Sequence, residues 1–391
     1  MSKKYRIAVI ISHPTQFESP LYKKISHSDL FDLKVFFWTT DKSAELIDPE
    51  LGHPPGWDFS LTDGYEYSIL PSDTRVSWRY LRNEIFQHGA YNAVIVNGYS
   101  SKVARLAFIA GFFFGVPVIL LSDTTLIYYR SLWKRLVRSI VLRIFFSCIP
   151  AFMARGSLSK EHLLHYKVPS KKIFLLPYAV DNQFIAQQCS EFYKQHNILR
   201  GELGIPPNNI VILSVIKFVP REGAFDLLRA YANIVNSYPE LTLIMVGDGG
   251  QKELLIEYVR EHHVPRVVFT GYQPYSLLPK YYALADVFVH PAINEPWGVS
   301  VNEAMACGLP VIASDLVGAA YDLIKEGKNG FIYRGGDVTS LQMALERFLS
   351  CREKHKNMGK KSMEIVKEWG YDKCLSEIER VLLYLSMIKR T

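Results

Sequence analysis

Glu295 and Glu303 are two carboxylates with seven residues between them, in the stretch ADVFVHPAINEPWGVSVNEAMACGLPVIAS at residues 285–314. The apolar run Asp286-Val287-Phe288-Val289-His290 has the length and β-branched character of a buried strand. A loop holding Pro291, Asn294, Glu295, Pro296 and Gly298 follows. Val299 to Ala306 then takes a helical pattern, with Val301, Ala304 and Met305 on one face and Gly308 suited to the position just past the helix end. Pro310 to Ala313 reads as the next buried strand. In such a βαβ unit the helix N-terminus points out of the loop, where its unpaired N–H groups and dipole attract phosphate. Glu295 falls at the loop tip, placed to accept hydrogen bonds from sugar hydroxyls. Glu303 lies more than a turn into the helix, set back from any phosphate and suited to a ribose diol. Taken singly, the plainer reading is a helix-capping glutamate and a solvated helix glutamate.

Cations are available upstream. Residues 212–223, ILSVIKFVPREG, read as a strand, a loop and a helix start carrying Lys217 and Arg221, with Glu222 beside them. Val246-Gly247-Asp248-Gly249-Gly250 is a glycine-rich strand end, and Gly271-Tyr272 follows the strand Val267–Thr270.

The elements that must hold these residues repeat one plan. Strands at Tyr5–Ile11, Leu33–Trp38, Ala93–Asn97, Val116–Leu121, Ala151–Arg155 and Ile173–Pro177 alternate with helical stretches from Pro20, at Ser159–His165 and elsewhere. A second series runs through Ile210–Ile216, Leu241–Val246, Val267–Thr270, Val287–His290 and Val311–Ala313. Alternation of this kind predicts doubly wound parallel sheets with ligands at the carboxyl ends of strands. Residues 182–208 read as a linker containing a polar helix, and Ser362 to Ile388 as terminal helix. The 391 residues suffice for two domains, each with its own core.

Hydrophobic residues make up 49% and charged residues 21%, ordinary for a globular protein. The net charge of +7 is uneven: residues 124–160 hold seven basic residues and no Asp or Glu. Within residues 126–145, Tyr129, Leu132, Trp133, Leu136, Val137, Ile140, Val141, Ile144 and Phe145 share one face. Arg130, Lys134, Arg135, Arg138 and Arg143 share another. That basic amphipathic pattern is compatible with docking on an anionic membrane surface, and equally with a core-packing helix whose outer face is basic. No nucleic-acid module accompanies the charge. Five cysteines without a CxxC pair argue against a disulfide framework or a zinc site. The short apolar start is not a convincing signal peptide, and no run is long enough to span a membrane comfortably, so a cytoplasmic protein is expected.

From Glu295 to Val311 the chain matches E-P-[FW]-G-x-x-x-x-E-A-M-A-x-G-x-P-V without a gap. It thereby resembles the family 4 retaining glycosyltransferases, closely from Ile173 to Tyr333 and more loosely before. The resemblance implies a GT-B fold, an α/β architecture of two Rossmann-like domains facing across a cleft. Residues 1–181 would bind acceptor, 209–368 would bind the nucleotide-sugar, and the helix 369–391 would pack back on the first domain. It implies a retaining, metal-independent transfer from a UDP- or GDP-sugar to a glycan or lipid-linked acceptor, in surface polysaccharide assembly, with no cofactor beyond the donor. Glu295 and Lys217 take the catalytic roles in this reading. Lys217, Arg221, Gly247, Gly271, Tyr272, Glu295, Pro296, Trp297, Gly298, Val299, Ser300 and Glu303 form the donor site. Glu222 stands where the family has a lysine, so Arg221 is expected to turn inward and Glu222 outward. No DxD pair, HExxH or His/Cys cluster suggests a metal.

The first domain departs from the family pattern. His13-Pro14-Thr15-Gln16 replaces its Gly-Gly loop, and Asn97-Gly98-Tyr99 replaces a histidine. His13, Gln16, Asn97 and Asp123 are the acceptor candidates, with Trp57 and Asp58 behind them. A sugar-nucleotide epimerase and a non-catalytic partner of the same fold are the alternatives.

Overall fold

The computed structural model describes residues 4–39, 48, 50–51, 58–71, 74–87, 89–126 and 132–388. By its internal contacts the chain divides into two units. The first comprises Met1–Ser43, Phe59–Ala179 and Gly370–Thr391; the second comprises Ala44–Asp58 and Val180–Trp369.

Seven strands of the first unit are described: β1 (Tyr5–Ile11), β2 (Phe31–Phe37), β3 (Glu66–Ile69), β4 (Ala93–Asn97), β5 (Val118–Ser122), β6 (Ala151–Ala154) and β7 (Ile173–Leu175). They pair in the order β3-β2-β1-β4-β5-β6-β7, every pairing parallel. The alternation of side chains along a strand divides the core between two faces. Ile7, Val9 and Ile11 join Leu33, Val35, Ile95 and Ile119 on one side, under the helices Ser19–Ser26 and Tyr371–Ile388. Ala8 and Ile10 join Phe36, Val94 and Val96 on the other, under the helix Lys102–Phe114. Both faces are therefore dry, which is why these strands read as continuous apolar runs.

The second unit repeats the plan with β8 (Ile210–Val215), β9 (Leu241–Val246), β10 (Val267–Gly271), β11 (Val287–His290), β12 (Val311–Ser314) and β13 (Gly330–Tyr333). Their order is β10-β9-β8-β11-β12-β13, again parallel throughout. In each sheet the winding reverses beside the first strand, between β1 and β4 and between β8 and β11. Crevices at such reversals, beyond the carboxyl ends of the strands, are where open α/β sheets take ligands.

Several elements differ from the sequence reading. The edge strands β3 and β13 were not foreseen; both are short, and β3 is half-exposed along its length. The stretch read as a linker holds two helices, Asn182–Tyr193 and His196–Glu202, that belong to the second unit. A disulfide joins Cys189 to Cys307 across 118 residues, although spacing had argued against one. Pairs so far apart in sequence leave no local signature. Among the described residues no helix is long and apolar enough to cross a membrane.

Candidate functional site

Two loops meet at the reversal point of the second sheet. One leaves β8 and carries Lys217 and Arg221; the other leaves β11 and carries Glu295. The backbone N–H of Ile293 donates to the Arg221 carbonyl at 2.8 Å, tying the loops together. Gly223 makes that approach possible. Its φ is +69°, and a Cβ there would lie 2.2 Å from the Pro291 carbonyl oxygen. Gly298 plays the matching part before the helix Val299–Ala306, at φ +90° with the His290 ring 2.9 Å from any added Cβ. These are left-handed conformations that favour glycine. Behind them Gly247 N–H donates to the Gly271 carbonyl at 3.0 Å, so the β9 and β10 ends close the same wall.

Both cations are engaged. Lys217 Nζ donates to Asp48 Oδ2 at 2.7 Å and to Glu50 Oε2 at 2.8 Å. Arg221 grips Glu50 with a fork, Nε to Oε1 at 2.8 Å and Nη2 to Oε2 at 3.0 Å. Its Nη1 reaches Glu295 Oε2 at 3.3 Å and Glu222 Oε1 at 2.8 Å. Arg221 first, and Lys217 after it, hold the Glu50 carboxyl down to about 2 against the opposing effect of burial. Burial works against the charge on Lys217, but its bonds to Asp48 and Glu50 outweigh that and raise its pKa.

Glu222 corrects the sequence expectation. It does not turn outward: its side chain is only 7% exposed and lies beneath Arg221. Burial pushes its pKa up to about 7, with Arg221 pulling the other way and Glu295 and Glu50 adding to the rise. The short 3-10 turn Pro220–Glu222 explains this, because it delivers both side chains of Arg221-Glu222 into the wall of the site.

Glu295 acts partly as a cap. Its Oε1 accepts from the N–H groups of Trp297 and Gly298, each at 3.1 Å, which fixes the carboxylate at the mouth of the helix. Glu303 is buried and accepts from the Tyr282 hydroxyl at 2.7 Å. Burial lifts its pKa to about 7, with the Tyr282 bond working in the opposite direction. Trp297 is buried too, donating from Nε1 to Asn302 Oδ1 at 2.8 Å and stacking on Trp369. Pro296 is exposed, while Val299 and Ser300 are half-buried. Tyr272 is half-buried, and burial first, with Asp58 and Asp48 after it, raises its pKa. Asp58 accepts from the Ser276 N–H at 2.9 Å.

In the first unit His13 is exposed on the loop after β1, Gln16 is half-buried on the same loop, and Asn97 ends β4, so they border that sheet's own reversal point. Asp123 accepts from the Tyr178 hydroxyl at 3.1 Å. Tyr178 in turn lies under the Arg155 guanidinium, 4.5 Å from ring centroid to carbon, and Arg155 is ion-paired with buried Glu18. Sequence reasoning counted Arg155 only as surplus charge; its place directly after a strand was the available clue. Asp48 and Glu50 were missed outright. Trp57, Tyr129 and Arg130 lie outside the described residues. Among the described residues no group of three or more His, Cys, Asp or Glu side chains is disposed to hold a metal.

Residues 195–364, which carry Lys217, Arg221, Glu222, Glu295 and Glu303, match the family of glycosyl transferases group 1. Curated relatives include N-acetyl-alpha-D-glucosaminyl L-malate synthase of Bacillus anthracis, 29% identical over 49% of each chain. Another is a GDP-mannose-dependent alpha-(1-6)-phosphatidylinositol monomannoside mannosyltransferase of Mycolicibacterium smegmatis, 31% identical over 49% of this chain and 50% of that one. The sulfoquinovosyl transferase of Arabidopsis thaliana is 33% identical over 48% of this chain and 36% of its own length. The chain thus spans about half the length, or less, of the curated relatives it matches. Among solved structures, HepE of Anabaena in complex with UDP and glucose superposes with a TM-score of 0.69 at 17% identity, covering 96% of this chain and 98% of that one. A Rickettsia africae glycosyltransferase superposes at 0.74 with 15% identity over 100% of both chains. The fold of the chain is GT-B.

Proposed function

We propose that this protein transfers a sugar from a UDP- or GDP-sugar to a glycan or lipid-linked acceptor in surface polysaccharide assembly, with retention at the anomeric carbon and without a metal. The observation that carries this reading is the convergence of Lys217, Arg221 and Glu295 at the reversal point of the second sheet, at the mouth of the helix Val299–Ala306. Two fixed cations there supply what a departing diphosphate requires. Cations placed where negative charge develops stabilise the departing group. Glu295, locked by two N–H groups and a guanidinium, is suited to accept from sugar hydroxyls rather than to attack the anomeric carbon. Gly247, Gly271 and Tyr272 line the same wall on the nucleoside side, and Glu303 is the ribose candidate. His13, Gln16, Asn97 and Asp123 are the acceptor contacts in this reading. The names of the relatives, one specifying GDP-mannose, and the UDP and glucose in the Anabaena structure support a nucleotide-sugar donor.

A membrane-bound acceptor is favoured by a second surface. The helix Leu132–Ser147 turns Leu142 and Phe146 inward and leaves Ile140 and Ile144 each 64% exposed. Phe112 and Phe113, on the helix Lys102–Phe114, are 76% and 72% exposed. They border an apolar groove of about 520 Å³. In sequence, residues 124–160 hold seven basic residues and no Asp or Glu, and apolar anchors joined to surplus positive charge suit an anionic bilayer surface.

The deciding test is release of nucleoside diphosphate from a panel of UDP-, GDP- and ADP-sugars in EDTA. Slow hydrolysis of one donor is expected, falling about 10²–10³-fold in Lys217→Ala and clearly in Glu295→Ala. Turnover that requires added metal would sink the mechanism. Interconversion of the sugar without transfer would mean an epimerase, and failure to bind any donor a non-catalytic partner.

A further inference from the structure

The diphosphate clamp is already occupied by the protein itself. Lys217 and Arg221 spend their donors on Asp48 and Glu50, carboxylates from a segment more than 160 residues away in sequence. A turn presents the pair together, since Asp48 Oδ1 accepts from the N–H groups of Glu50 at 2.8 Å and Leu51 at 3.3 Å. With Glu222 and Glu295, the two cations face four carboxylates. Two positive charges against four negative ones leave a net of −2, or −1 if Glu222 is protonated. A diphosphate added to that cluster would meet like charge, which disfavours ionised groups held within a few ångström of one another.

The exposure of the partners shows which carboxylates can leave. Lys217, Arg221 and Glu50 are each about a third exposed and Asp48 is 21% exposed. Part-buried pairs of this kind keep one side open to solvent, through which an incoming anion can exchange with the carboxylates. The Arg155–Glu18 bridge, at 5% and 4%, is fixed by contrast. Glu222 is buried and Glu295 is tied by backbone N–H groups, so neither is free to yield.

We propose that Asp48 and Glu50 are an internal stand-in for the diphosphate, so that the nucleotide binds by displacing them from Lys217 and Arg221. Binding is then an exchange of anions on one pair of cations, and donor affinity is lowered by the share of molecules in which the carboxylates sit on the clamp. This rests on the donor-site reading above, and the experiment separates the two. Binding of inorganic pyrophosphate, and of the best of UDP, GDP and ADP, is measured calorimetrically on the full chain, with the parent nucleoside as control. Asp48→Asn/Glu50→Gln should tighten both phosphate ligands about tenfold, as expected when a competing state holding roughly nine molecules in ten is removed. Nucleoside affinity should not change. Should the double variant fail to fold, Glu50→Gln alone should give a smaller gain of the same sign. Unchanged or weaker diphosphate binding in these variants, with Lys217→Ala still abolishing it in the wild type, overturns the stand-in alone. Full diphosphate affinity in Lys217→Ala, or no diphosphate binding by any form, overturns the donor-site reading and the stand-in with it.

Discussion

Three side chains of the second unit carry unusual protonation and act on stability in opposite directions. Burial raises Glu222 and Glu303 to about 7, and lowers His290 to about 4. For the glutamates the folded chain binds more protons than the unfolded chain between the ordinary carboxyl range and pH 7. Their contribution is therefore present at low pH and lost as pH rises through 7. His290 has the reverse sign: its contribution is present above the ordinary histidine range and lost as pH falls towards 4. Replacing Glu303 with Gln removes one of the two losses. The melting temperature of Glu303→Gln relative to wild type should rise between pH 5 and pH 8, and a constant gap across that range would refute the assignment. The site positions legible in the sequence were those with a spacing, from Glu295 to Val311 and at Lys217. Glu222 was misread because sequence shows that a carboxylate stands beside an arginine, but not that a tight turn buries both. Asp48 and Glu50 sit in a polar, glycine- and proline-rich stretch with no periodicity, and their partners are 167 to 171 residues away.

Strands with two dry faces announced themselves as apolar runs, and β1, β4, β9 and β11 begin and end where the sequence placed them. The edge strands β3 and β13 did not, since an edge has one neighbour and tolerates polar or small residues. The loops after β8 and β11 were legible as loops, but their mutual contact was not. Gly223 is the test of that contact. Gly223→Ala sets a Cβ against the Pro291 carbonyl at a left-handed φ of +69°, whereas Gly327 has nearly the same φ of +68° with nothing within 4 Å. Strain of that conformation alone costs about 1–3 kcal/mol, so Gly327→Ala should fall in that range by denaturant unfolding. Gly223→Ala should exceed it and also weaken nucleotide binding, because Arg221 must move with its loop. Equal losses at both glycines would show that the two loops have room to part.

For the molecule as a whole, the alternation of strands and helices carried the fold class, and repetition of the plan carried the two sheets. The outward turn of Ile140 and Ile144 was not readable, because an amphipathic pattern does not say which apolar residues face the core. Burying an exposed Phe side chain is worth about 1.5–3 kcal/mol. Phe112→Ser/Phe113→Ser should thus cut flotation with vesicles of anionic lipid by at least about tenfold, and added salt should weaken what remains. Equal recovery of wild type and variant, or equal binding to zwitterionic vesicles, would remove the case for a membrane surface.

The first unit's core is assembled from distant parts of the gene product: Cys374, Ile378, Val381, Leu382 and Leu385 seal the same side of the sheet as Ile7 and Val9. Those five residues are translated only after the entire second unit. Domains commonly fold in the order in which they leave the ribosome, but here the first to emerge must wait for the last helix. During synthesis the part of that flank not covered by the helix Ser19–Ser26 stays open to water and to other chains. A nascent polypeptide stalled before residue 371 would display that apolar face, which makes it a natural client for chaperones.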